Sequence, residues 1–149
     1  MSVKTFLGIL ILFFILAVEA STANAQTQLE LNEKACDKFK KADNDLNSVY
    51  NRILEVYKTD KTFIAKLKKA QVAWIAFRDA HIDAIFPLED KRVEYGSVYP
   101  MCECGEREEI TLKRISELKR WLDGIEEGDV CGGSIRRTDV LPQPKKKTK

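Results

Sequence analysis

Histidine is nearly absent from this chain, with His81 as its one representative among 149 residues. Its neighbouring acids, Asp79 and Asp83, lie two positions away and so point to other faces of a helix. A histidine-centred acid–base or nucleophilic site therefore has no local partner. There is no Gly-rich phosphate loop and no G-x-S-x-G elbow. Cys102-Glu103-Cys104 lacks the C-x₂₋₄-C spacing and second ligand pair of a zinc site. The sequence thus reads as non-enzymatic, with no cofactor or metal and no nucleic-acid motif. Long apolar runs are scarce too. Phe6 to Val18 is the longest without a charge, and it falls short of the roughly 20 residues a membrane-spanning helix needs.

That run does fit an export signal. Lys4 precedes it, and Ala23-Asn24-Ala25 follows as a small-x-small cleavage site, so residues 1–25 are expected to be removed and Gln26 to become the first residue. Without them the chain has no integral membrane segment and is expected in the periplasm or outside the cell. The formal net charge is +2. Residues 26–134 hold 18 bases against 21 acids, whereas Arg136, Arg137, Lys145, Lys146, Lys147 and Lys149 oppose only Asp139 beyond them. A mildly acidic body, 26–131, is followed by a Gly- and Pro-containing basic stretch, 132–149, that reads as a disordered tail.

Helical periodicity accounts for most of the body, which predicts an all-α fold. Phe39, Ala42, Leu46, Val49, Tyr50, Ile53, Leu54 and Tyr57 recur at three- and four-residue steps in a helix from about Leu29 to Lys58. Thr59-Asp60 breaks it, and Asp60 is placed to cap the next helix. That helix runs from about Lys61 to Pro87 on a stripe of Phe63, Leu67, Trp74, Arg78 and Ile82. Glu89 to Gly105 reads as a long connection. A third helix is expected from Glu106 to Glu127, with Gly128 as its stop. The architecture is then a small antiparallel three-helix bundle with a disulfide-tied loop between helices two and three.

Arg78 lies on the apolar stripe beside Trp74, and a buried arginine demands a partner. Equal rise on two antiparallel helices sets it within a turn of Asp43 and Asp45, one of which should pair with it. The four cysteines, Cys36, Cys102, Cys104 and Cys131, allow three full pairings. Hairpin geometry favours Cys36 with Cys102 or Cys104. Cys131 lies beyond a helix that carries it roughly 30 Å away, which makes a second bridge difficult.

Several ordered segments resemble one family. Cys36 with Ala42-Asp43-Asn44-Asp45-Leu46-Asn47 and Tyr50 is similar to a C…AD..LN..Y pattern. Ala70-Gln71 with Trp74 and Phe77-Arg78-Asp79-Ala80 is similar to AQ.AW..FRDA. Gly96-Ser97, and Thr111 with Arg114 and Leu118, fit the remaining elements. The chain resembles the LprI-type lysozyme-inhibitor domain from about Cys36 to Asp123. Members often carry a cysteine just after the RDA motif, where this chain has His81-Ile82. The resemblance implies a small exported helical protein that binds and inhibits lysozyme. Asp43, Asp45, Gln71, Trp74, Arg78, Thr111 and Arg114 would then be structural. The segment Glu89–Glu109 has seven acids and three bases, and Glu94, Tyr95, Tyr99, Met101 and Glu103 are the expected contacts to a basic lysozyme. The competing reading is a non-enzymatic module whose partner is another cell-envelope protein or the wall.

Overall fold

The computed structural model describes residues 27–142; the expected signal peptide and the last seven residues lie outside them. Helix α1 spans Gln28–Val56 and opens on a capping box, in which Thr27 Oγ1 accepts from Glu30 N–H and the Glu30 carboxylate accepts from Thr27 N–H. Helix α2 spans Lys61–Ile85, and its cap is Asp60, whose carboxylate accepts from Phe63 N–H at 2.9 Å. Pro87 ends it, leaving Phe86 in a non-helical conformation. A short helix α3, Lys91–Tyr95, and a 3₁₀ turn, Gly96–Val98, lead into α4, Tyr99–Asp123.

The expected loop at Glu89–Gly105 is thus largely helical. Pro100 sits in the first turn of α4, where no backbone donor is required, so it starts this helix rather than breaking it. Gly105 is tolerated inside the helix, at a cost of about 1 kcal/mol. Both Cys102 and Cys104 therefore lie on α4. The stop also falls earlier than expected, at Gly124 rather than Gly128. Gly124 has φ +80°, and a Cβ there would meet Leu141 at 2.8 Å and the Arg136 carbonyl at 3.0 Å.

Two contacts give the running sense of the helices. Cys36 is bonded to Cys104 near one end, and the Tyr57 hydroxyl reaches the Trp121 carbonyl at the other. Helices α1 and α4 therefore run side by side in the same direction. Helix α2 returns against them, with Phe63 beside Tyr57 and Trp121 and Arg78 beside Asp43. Leu46, Ile53, Tyr57, Phe63, Leu67, Ile115 and Leu118 form the shared core, and Leu141 closes it. The one disulfide is Cys36–Cys104. Cys102 and Cys131 are free thiols near opposite ends of α4, which separates them by roughly 30 Å.

Residues 132–142, expected as the start of a disordered tail, are folded. Ile125 N–H bonds the Arg136 carbonyl and Thr138 N–H bonds the Ile125 carbonyl. Ile135 and Leu141 are buried. The Arg136 guanidinium lies 4.2 Å from the Tyr57 ring centroid and donates to the Val56 carbonyl at the open end of α1. Composition suggested disorder because only two apolar side chains pin this strap. They suffice because Tyr57 supplies hydrogen bonds as well as surface. Its hydroxyl accepts from Arg136 N–H and donates to Trp121 O, both at 3.1 Å. Tyr57→Phe leaves both groups short of a partner and is expected to lower the unfolding free energy by about 1–2 kcal/mol, read by urea denaturation.

Candidate functional site

The helices meet at mid-height through charge rather than oil. Arg78 is almost buried, at 12% side-chain exposure, and donates from Nη1 to Asp43 Oδ1 at 3.2 Å and from Nε to Asp79 Oδ1 at 3.1 Å. Arg107 on α4 donates to the same Asp79 oxygen at 2.8 Å and to Glu103 Oε1 at 2.9 Å. Asp43, Arg78, Asp79, Arg107 and Glu103 thus form one chain of alternating charge across α1, α2 and α4. Trp74 lies next to it, with Arg78 and Arg114 at 5.4 and 5.8 Å from its ring. Arg114 also donates to buried Gln71 at 3.2 Å and to Glu117 at 2.9 Å.

Of the expected structural residues, Asp43, Gln71, Trp74, Arg78 and Arg114 come together here. Asp45 does not; it faces solvent and pairs with Lys41 at 2.6 Å. Thr111 is fully buried, and its hydroxyl has no hydrogen-bond partner. Asp79 and Arg107 were missed as members. The signal for Asp79 was its place beside Arg78; Arg107 fell within the expected third helix, but only the start of α4 at Tyr99 sets Glu103 one turn before it.

Burial pushes the Asp79 carboxyl up, but hydrogen bonds from Arg107 and Arg78, with their charge, outweigh that and hold it below the ordinary aspartate value. A depressed folded pKa stabilises the fold above the unfolded value, near 3.9, and that contribution fades as pH falls through the folded value. Asp79→Asn is therefore expected to flatten the acid limb of the stability–pH curve below about pH 4, as read by thermal melts.

Below this network lies an acidic end. Phe86 meets Tyr95 and Tyr99 edge-on at 5.3 and 5.2 Å, and the two tyrosines stack at 5.8 Å. The Tyr95 hydroxyl accepts from Leu88 N–H. Burial, with the Glu103 carboxylate nearby, pushes the Tyr99 phenol up. These aromatics hold the end together instead of being displayed on a loop. Lys91 Nζ donates to the Phe86 carbonyl at the open end of α2.

Outside that aromatic cluster, Glu89, Glu94, Glu106 and Glu108 make no ion pair among the described residues. Glu89 and Glu94 are exposed, and Leu88 and Val93 on the same segment are 47% and 76% exposed, whereas Glu106 and Glu108 are half-buried on α4. Of the five expected contacts, Glu94 is exposed, whereas Tyr95, Tyr99, Met101 and Glu103 are half-buried. Leu88 and Val93 were missed because isolated apolar residues in a charged segment carry no periodic signal.

A groove of about 300 Å³ between α2 and α4 continues upward from this end, lined by Trp74, Phe77, His81, Glu106 and Ile110. His81 stacks on Phe77 at 5.6 Å. Among the described residues no group of three histidines, cysteines or carboxylates is placed to hold a metal, and no helix is long and apolar enough to cross a membrane. The 88–94 segment thus presents the exposed carboxylates of Glu89 and Glu94 and the exposed side chains of Leu88 and Val93 on a helical support.

No solved structure matches the chain. It is 32% identical over 119 residues to "Uncharacterized protein R02472" of Rhizobium meliloti (strain 1021), an alignment spanning 72% of this chain and 83% of that protein. The family described as "Lysozyme inhibitor LprI" matches residues 19–118, which take in the disulfide, the arginine network and the acidic end but stop short of the strap. The chain is a member of the LprI lysozyme-inhibitor family.

Proposed function

We propose that this protein is exported and inhibits a basic lysozyme by seating its acidic end over the enzyme's cleft. Family membership supplies the activity. The observation that supports this surface is the exposure, on one short segment, of Glu89 and Glu94, both without ion-pair partners among the described residues, together with Leu88 and Val93. Free carboxylates steer a cationic partner and speed encounter. Apolar side chains excluded from water on docking slow its release. Glu94 contacts the partner directly. Tyr95, Tyr99, Met101 and Glu103 shape the end beneath it, so their replacement acts on both rates.

The test is binding kinetics on immobilised lysozyme over a range of salt. The triple variant Glu89→Gln, Glu94→Gln, Glu106→Gln is expected to slow association about tenfold at low salt and to weaken the salt dependence. Leu88→Ala with Val93→Ala is expected to speed dissociation about tenfold and leave association nearly unchanged. If lysozyme binds and neither set changes a rate, the surface lies elsewhere on the molecule.

A further inference from the structure

The second helix carries a surface that its own chain does not cover. From Val72 to Ala84, α2 is apolar on most of its circumference. Trp74 and Ile82 face inward and Phe77 lines the groove against α4, while Val72 and Ile75 are 70% and 41% exposed. Ala73, Ala76, Ala80 and Ala84 are exposed with them. The outer face of α1 differs, exposing Lys34, Asp37, Lys38, Lys41, Asn44 and Asp45. Exposed apolar side chains gathered on the outer side of one helix mark a surface that a neighbour would cover.

Charge identifies that neighbour. The face is bounded at its N-terminal side by exposed Lys66 and Lys69 and at its C-terminal side by exposed Asp83. None of the three makes an ion pair among the described residues. Positions 69, 76 and 83 are seven apart and share one side of the helix. A basic protein docked here would meet the lysines. An anionic polymer or bilayer would meet Asp83. A second α2 laid antiparallel meets neither repulsion. With the two-fold axis at Ala76, Lys69 faces Asp83 of the second copy, and Val72 faces its Ala80.

The geometry points to a two-fold homodimer through the outer face of α2, centred on Ala76, with two reciprocal Lys69–Asp83 ion pairs. Such an interface is isologous and closes on itself. The alanines at its centre let the helix axes approach to about 8 Å, the short end of the usual range. The acidic ends then point away from each other. This surface is separate from the one proposed for lysozyme.

Sedimentation velocity from low-micromolar to near-millimolar protein tests it, in a Cys131→Ser background that removes the exposed thiol from consideration. The wild-type face is expected to shift from one protomer toward two as concentration rises. Ala76→Glu is expected to weaken the dimer at least about tenfold while keeping its helical circular dichroism and melting temperature, since the site is exposed. Lys69→Glu alone and Asp83→Lys alone should each dissociate it, and the two together should restore it. A protein of one protomer at every concentration overturns the proposal, as does a double reversal that fails to rescue. If the protein stays monomeric and Ala76→Glu instead weakens lysozyme binding, the face belongs to that partner and the dimer is overturned.

Discussion

Cys36→Ser is expected to cost about 4 kcal/mol of unfolding free energy, more than the loss of the arginine network. The bridge closes a sequence separation of 68 residues, and the chain-entropy cost of such a loop in the unfolded state is roughly 4 kcal/mol. Cys104→Ser should lose the same amount. Cys102 should not rescue it, because two residues along a helix turn its thiol well away from the face that meets Cys36. Cys102→Ser should change little. Urea denaturation of the three variants separates these outcomes. Equal stability of Cys104→Ser and the wild type would show that Cys102 takes over the bridge.

Arg78→Ala is expected to lower stability by about 2–3 kcal/mol, below the 3–5 kcal/mol of a fully buried pair. The reduction follows from Asp43, whose side chain remains 40% exposed and is rehydrated when its partner leaves. The loss has two parts. Asp79 keeps Arg107 but loses one of its two cations, and the Trp74 and Phe39 rings lose the guanidinium stacked on them. Arg78→Lys should recover only part of the loss, because an ammonium cannot reach Asp43 and Asp79 in the same planar fork. A loss below about 1 kcal/mol in Arg78→Ala would mean that the network is ornamental.

The parts of this molecule that were legible in its sequence are those set by local periodicity. Helices α1 and α2 follow from their apolar stripes, and Asp60 caps where its position suggested. Register alone narrowed the partner of Arg78 to Asp43 or Asp45, and the structure selects Asp43. Reading failed where one residue type has two structural meanings. Pro100 suggested a loop, yet proline also begins helices, and α4 starts seven residues before the expected position at Glu106. The late start left Glu103 outside the helix and so hid its pairing one turn along with Arg107. The strap failed for another reason. Its order depends on Tyr57, about 80 residues earlier in the chain, and no local pattern in residues 132–142 records that contact. At the acidic end the charge was plain. The tyrosines looked like anchors because aromatics favour interfaces, but Phe86 offered them an intramolecular partner first.

Whether this chain inhibits lysozyme is decided by the lytic activity of a basic lysozyme on cell-wall substrate, titrated with the folded, disulfide-intact protein. Inhibition should saturate at micromolar excess, weaken as salt is raised, and fall in the Leu88→Ala, Val93→Ala variant while the Cys131→Ser protein retains it. Full lysozyme activity at micromolar excess of protein that melts cooperatively would contradict the inhibitor reading for this chain and leave the envelope-module reading in its place.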